Sequence, residues 1–452
     1  MSTVTLGNVP ELEGLSPALV RELRAIANTA NLNAVVLDRL SGPVVHLSAF
    51  GAVADSTTDC LPAVRAALSA LPSTGGVILL PPTKGKHLYF SDTLDLTALG
   101  GSSRAVSLVG AGRQRTLLKV RGTGPGILAT KSNTRFTWLS DFSIHGPCAV
   151  LPTTQTAGNY GITTQNSGVG FSFNIERVEV RYFADDAIRI RGATGPTLIR
   201  DVFAFYNGGY GVNVVNADGE SPQDVSVEGG AIQFGWGGIH TNVVDSMMLR
   251  GCDIELDANG RYPAVYLEGA NGVTCLDVTA TVTATGTTPA AVVVFGSATG
   301  CAWVGGLTRN AAAAAIHNFY FDGSYDHNVV SSGYHYNTAN SGYFASFNGH
   351  TDCGFYHPRV VGTTYSAGYD VVNDAVANRT TAFGVKCASY PTPDDTGAVL
   401  PITSIPVLCM TERSAPTGVA NVAQVYAVDN GGKTELRVIF GSGAAQTIAA
   451  EP

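Results

Sequence analysis

Residues 187–214 read AIRIRGATGPTLIRDVFAFYNGGYGVNV, and this stretch decides the fold because the motif that opens it returns at its end. The motif is a small residue followed by alternating apolar positions. It occurs seven times in succession, as GITT, AIRI, GVNV, GIHT, AVYL, AVVV and AIHN, beginning at Gly161, Ala187, Gly211, Gly238, Ala264, Ala291 and Ala315. The spacings of 26, 24, 27, 26, 27 and 24 residues suit one coil of a parallel β-helix rather than a helical repeat. Successive side chains of a strand point to opposite faces, so Ile188 and Ile190, or Val265 and Leu267, turn inward and their neighbours outward. Outward residues of successive coils then stack into columns about 4.8 Å apart.

A second strand recurs about halfway round each coil, in IERVEV, IRDVFAF, QDVSVE, RGCDIEL and TCLDVTA. Composition agrees with an all-β solenoid. The chain of 452 residues exceeds the usual single-core limit, holds 53 glycines and is only 14% charged. Its net charge of -8, with no Lys/Arg-rich run, argues against nucleic-acid binding. No uninterrupted apolar stretch is long enough for membrane insertion, and the opening MSTVTLGNVPELEG lacks the features of a secretion signal. Eight cysteines without a CxxC pair give no zinc pattern, and Cys252, Cys275 and Cys301 fit an interior ladder of free thiols. No metal or cofactor is expected.

Residues 46–96, HLSAFGAVADSTTDCLPAVRAALSALPSTGGVILLPPTKGKHLYFSDTLDL, lead on to VSLVGAGRQRTLL at 106–118. Asp59 can cap a helix from about Cys60 to Leu71, with Ala63, Ala67 and Leu71 on one face, able to plug the open end of a stacked-strand core. Gly75 and Gly76 turn the chain into the strand Val77–Leu80, and Pro81 and Pro82 stop it. This segment resembles the opening of the pectate-lyase-like, right-handed parallel β-helix family found in many phage tailspikes. Two positions depart from the family's pattern, Ser56 where glycine is common and Cys60 where a second acidic residue is common.

The resemblance implies a homotrimeric spike that is assembled in the host cytoplasm, joins the phage tail or baseplate and contacts a bacterial surface polysaccharide. Three regions are expected: an N-terminal helical head over 1–45, either a terminal cap on the body or a segment for attachment to the virion, the β-helix over 46–362, and a C-terminal β region over 363–452 suited to trimerisation or receptor contact. In the last, two strands are expected around the turn Asp429–Gly432.

Two outward columns carry candidate chemistry. Aligning the second strands by their apolar residues gives Arg181, Phe205, Glu228, Glu255 and Thr279, with Asp253 and Asp257 flanking Glu255. Carboxylates on neighbouring rungs raise one another's pKa and leave a proton donor beside a base, the arrangement that glycoside hydrolysis requires. Glu228 and Glu255 are therefore the expected acid and base, with Arg181 and Phe205 as sugar contacts, although acidic residues on an exposed rung are usually just solvated. The other column, behind the strand openings, reads Thr163, Arg189, Asn213, His240 and Tyr266, with Arg191 and Glu268 two residues beyond their rung-mates. An Arg, Asn, His and Tyr strip can bond glycan hydroxyls or remove the C5 proton of a uronic acid, which would make the protein a lyase. Asp141, Asp185 and Asp186, at turns or strand starts, are read as structural. Depolymerisation by hydrolysis is the leading expectation, and a non-catalytic receptor-binding spike the alternative from another class.

Overall fold

The computed structural model describes residues 43–337, apart from 98–104, 130–136, 165–172, 193–195, 217–220, 258–259, 284–290, 312–316 and 323–326, and beyond these the strands at 345–348, 354–356, 359–362, 371–373, 381–383 and 400–401, then 423–440 and 445–450. The expected helical head lies almost wholly outside the described residues. The strands up to Leu400–Pro401 form a right-handed parallel β-solenoid whose coils each give one strand to each of three parallel sheets. Phe173–Glu176, Glu179–Arg181 and Ile188–Arg191 make one such coil, contributing to the first, second and third sheet in turn. Strands of these sheets continue past residue 362, at Val371–Asn373 and Thr381–Phe383.

The core is a set of columns. In the first sheet Ile175, Ile199, Val227, Leu249, Cys275, Trp303 and Val330 lie in register on successive coils, all buried. Ile162, Ile188, Val212, Ile239, Val265, Val293 and Phe319 do the same in the third. All seven motifs of the sequence thus contribute third-sheet strands, but the last two are aligned late. Val265 pairs with Val293 rather than Val292, because the wholly apolar AVVVF gives no polar residue to mark which positions face out. Cys252, Cys275 and Cys301 are buried free thiols; the ladder sets Cys275 against Trp303, so they do not form one register column.

Between the first and second sheets the chain turns a sharp corner through left-handed residues, among them Arg177 (φ 52°), Asp201 (φ 52°), Gly229 (φ 62°) and Asp277 (φ 52°). So tight a corner shifts the apolar alternation by a single residue, from Ile175 to Val178 and Val180, and IERVEV is two strands, Phe173–Glu176 and Glu179–Arg181, where the sequence suggests one. The helix Leu61–Ala70 buries Leu61, Ala63, Val64, Ala67 and Leu68 in the same core, and Asp59 Oδ1 accepts the Leu61 N–H at 3.1 Å. The C-terminal unit is an antiparallel sheet of Ala423–Asp429, Thr434–Phe440 and Gln446–Ala450. Its first two strands form the expected hairpin, in which the Gly432 N–H donates to Asp429 Oδ1 at 2.6 Å. The third strand is an addition.

Polar residues also enter the interior of the second sheet. His335 is paired with Thr308 and fully buried; its Nδ1 lies 2.9 Å from Thr308 Oγ1 and its Nε2 3.1 Å from the Ser332 carbonyl. Burial pushes its pKa down to about 4. The unfolded chain, with a His pKa of about 6.5, therefore binds more protons between those values. The stabilisation is complete above about pH 6.5 and is lost as pH falls through about 4, by up to about 3 kcal/mol. Thermal unfolding midpoints should fall over this window, and His335→Gln should flatten the fall; an unchanged slope would assign it to other groups.

Candidate active site

The expected carboxylate pair is not brought together. Glu228 ends the first-sheet strand Gln223–Glu228 between Arg200 and Arg250 of neighbouring coils, in an alternating ladder that also sets Glu176 Oε2 2.8 Å from Arg200 Nη2. Glu255 lies in the second-sheet strand Asp253–Leu256, between Gln233 and Thr281. The corner at Gly229 and Gly230 separates Glu228 from the second-sheet strand Ala231–Gln233 of its coil, so the true rung-mate of Glu255 is Gln233 and the column reads Arg181, Phe205, Gln233, Glu255, Thr281. Gln233 Nε2 donates to Asp253 Oδ2 at 3.2 Å and lies 3.5 Å from Glu255 Oε2. Asp257 follows the strand and is half-buried. Arg181 is held by Glu179 at 2.7 Å and lies over the Phe205 ring, 4.8 Å from its centroid.

The third-sheet column has the register that the motifs imply. Thr163 pairs with Arg189, Arg189 with Asn213, Asn213 with His240 and His240 with Tyr266, on the strands Ile162–Thr164, Ile188–Arg191, Tyr210–Val215, Gly237–Asn242 and Val265–Glu268. Its side chains form one hydrogen-bonded line across four coils. Asp186 Oδ2 accepts from Asn213 Nδ2 at 2.7 Å and from Arg189 Nη1 at 3.1 Å, while its Oδ1 accepts the Tyr210 N–H at 2.8 Å. Asn213 Oδ1 lies 2.9 Å from His240 Nδ1, and His240 Nε2 lies 3.0 Å from Glu268 Oε2, which also accepts from Asn242 Nδ2 at 2.8 Å. The line runs from the interior to solvent: the side chain of Asp186 is 1% exposed, that of His240 12% and that of Glu268 42%.

Burial sets the titration of this line. It pushes Asp186 up to about 6, with help from the charge of Asp185 and against the Asn213 and Tyr210 donors. It lowers His240, opposed by the hydrogen bond and charge of Glu268. It raises Tyr266, as does Glu268, so the phenol stays protonated at neutral pH. Aromatic rings frame the imidazole, with Tyr210 stacked on one side at 4.7 Å, Tyr262 beyond it at 4.8 Å from Tyr210, and Tyr266 at 5.0 Å from His240. Two glycines make room for these rings: a Cβ on Gly237 would meet the Tyr210 ring at 2.6 Å, and one on Gly296 the Tyr266 ring at 2.6 Å.

A preceding loop is tied to the strip. Gln155 Nε2 donates to Asp185 Oδ1 at 2.6 Å, Tyr262 Oη donates to Gln155 Oε1 at 2.8 Å, and Arg261 Nη2 donates to the Thr153 carbonyl at 3.2 Å. Asp186, Tyr210 and Tyr262 are the members that sequence reasoning misses. Asp186 reads as a turn residue because it stands two positions before Ile188, outside the alternating run. Tyr210 sits just ahead of the motif GVNV and is found only by starting the strand one residue earlier. Among the described residues no group of three or more His, Cys, Asp or Glu is placed to hold a metal ion, and no helix is long and apolar enough to cross a membrane.

No protein-family model matches the sequence, and no curated protein matches it. Solved structures do. The A-module of an Azotobacter vinelandii mannuronan C-5 epimerase is 16% identical, with a TM-score of 0.52 over 77% of this chain and 100% of that one. Tailspike protein 2 of the Escherichia coli O157:H7 bacteriophage CAB120 is 15% identical, with a TM-score of 0.55 over 88% of this chain and 52% of that one. Tailspike protein 3 of bacteriophage CBA120 is 13% identical, with a TM-score of 0.51 over 95% and 77% of the two chains. At such identities the likeness is one of fold, and it relates this right-handed parallel β-solenoid to tailspikes and to an epimerase alike.

Proposed function

We propose that this chain is the glycan-contacting body of a phage tail spike and that it cleaves an acidic bacterial surface polysaccharide by β-elimination on the third-sheet strip. The observation that carries this reading is the hydrogen-bonded line from Asp186 to Glu268, with Arg189 and Tyr266 on the same column. Elimination at a uronic acid needs a cation, a base and an acid close together, and the strip offers one of each. Arg189, a quarter exposed, neutralises the uronate carboxylate and so acidifies the C5 proton. The His240–Glu268 pair takes that proton, the C4–C5 double bond forms as the C4–O4 bond breaks, and the Tyr266 hydroxyl protonates the leaving oxygen.

Hydrolysis, the leading expectation from sequence, asks for two carboxylates facing the sugar about 5 to 9.5 Å apart. The strip presents one, because Asp186 is buried and taken up by three donors. A hydrolase reading has one observation of its own, the Asp253 and Glu255 carboxylates gathered round the Gln233 amide in the column of Arg181 and Phe205. The mannuronan C-5 epimerase among the similar structures is named for chemistry at the carbon that elimination deprotonates, and two others are tailspikes, in keeping with the leading proposal.

The test is incubation of the full chain with a panel of bacterial surface polysaccharides, following new reducing ends and the ultraviolet absorbance of unsaturated uronates in parallel. Both signals together are expected. Reducing ends alone would move the site to Asp253 and Glu255, and binding without either would leave a receptor-binding spike. Sedimentation at low concentration should give a mass of about three chains, and a stable monomer would remove the spike assembly.

A further inference from the structure

We infer that Asn213 fixes the imidazole of His240 as its Nδ1–H form, that below the titration of the pair His240 and Glu268 hold one proton in common, and that the pair becomes a base only after that proton leaves. The inference rests on the proposed role of the strip for its catalytic meaning and on hydrogen-bond geometry for its content. The ladder of donors leaves little freedom. In its ionised form Asp186 only accepts, from Arg189 and from the Tyr210 N–H, so it faces Asn213 as an acceptor too, and the Asn213 amide turns its NH2 toward it. The Asn213 carbonyl oxygen is then the atom facing His240 Nδ1 at 2.9 Å, and a carbonyl oxygen only accepts. Nδ1 therefore carries a hydrogen.

Nε2 meets Glu268 Oε2 at 3.0 Å. A bare imidazole lone pair and a carboxylate oxygen cannot share that distance without a proton between them, whether the imidazole or the carboxylate holds it. The charged and titratable groups around the pair are Arg189 and, through Asn213, Asp186 from the interior side; Tyr210 and then Tyr262 over one ring face; Tyr266 on the other side, with Asp322 beyond it; and the neutral Asn242 amide on Glu268. Burial disfavours the proton on His240, and Arg189 adds to this, while the hydrogen bond and charge of Glu268 favour it. When the proton is lost, the lone pair of Nε2 and the half-exposed Glu268 carboxylate repel each other and the base is free. Elimination should accordingly strengthen as pH rises through the titration of the pair.

Asn213 is in this sense a positioning residue, and nitrogen NMR of the full chain labelled at histidine tests its role directly. The His240 signals are identified by their loss in His240→Gln, or by their displacement in Glu268→Gln should the first variant not fold. Nδ1 is expected to remain protonated across the whole titration from about pH 5 to about pH 9, while Nε2 passes in one step from protonated to bare. Glu268→Gln should move that step to lower pH, because the carboxylate favouring the proton is gone, and Asn213→Ala should release the preference for the Nδ1–H form. A native imidazole with Nδ1 bare and Nε2 protonated would overturn the inference. So would a step unmoved in Glu268→Gln. The expected NMR signature combined with no cleavage of any polysaccharide in the panel would instead reject the eliminative function and leave the shared proton standing.

Discussion

Replacing His240 by glutamine is expected to lower polysaccharide cleavage by about 10²- to 10⁴-fold, the usual share of one positioned proton-transfer group, with little change in glycan binding. Arg189→Gln should act through the same step but weaken binding as well, since it removes the charge that would hold the uronate. Glu228→Gln supplies the contrast. Glu228 lies in a different sheet, in register between Arg200 and Arg250, so its replacement should leave cleavage within about twofold and cost at most about 1 kcal/mol of stability, the worth of the hydrogen bond it accepts from Ser226 Oγ at 3.1 Å. The comparison is made by initial rates on whichever polysaccharide of the panel the native chain cleaves, with the thermal midpoint of each variant recorded beside them. If Glu228→Gln abolished cleavage and His240→Gln spared it, the strip would not be the active site.

Trp303→Ala should give the largest loss of stability, about 3 to 5 kcal/mol. The indole is fully buried in the first-sheet column between Cys275 and Val330, meets the Phe319 ring edge-on at 5.7 Å, and donates from Nε1 to the Gly305 carbonyl at 2.9 Å. Truncation opens a void that the coils above and below cannot close, because each is fixed to its neighbours by the ladder. Because that ladder also carries each coil on its neighbours, the loss should appear in the main unfolding transition. Denaturant unfolding measures it. A change below about 1 kcal/mol would show that the solenoid wall can collapse inward at this coil.

The difference between the two outward columns shows how far periodicity reaches. The third-sheet strands are each announced by a small residue before an alternating run, so Arg189, Asn213, His240 and Tyr266 can be set in register from spacing alone. In the coils that carry the site, the second-sheet strands succeed the first-sheet strands after corners of two residues, and alternation passes through such a corner with its phase altered. Arg177, Asp201 and Asp277 turn the corner in the left-handed region without the glycine that would announce it, and in the coil of Glu228 the corner Gly229–Gly230 has a glycine where Val178, Val202 and Val278 are buried in other coils, so the inward apolar residue that marks the next strand is missing. For that reason spacing alone puts Glu228 in the wrong sheet.

By itself, then, the sequence determined the parallel solenoid, the length of its coil, the plugging helix and one outward column, because each rests on local periodicity or on a turn residue near in the chain. The tertiary structure alone decided the position of the sheet corners, the choice of Gln233 rather than Glu228 as partner to Glu255, and the assembly of Asp186, Tyr210 and Tyr262 around His240. Those contacts join residues that are mostly about one coil apart in sequence and are set by which side chains the ladder brings to hydrogen-bonding distance. So is the proton between His240 and Glu268: it depends on the direction in which one amide must face, and no spacing of residues encodes that.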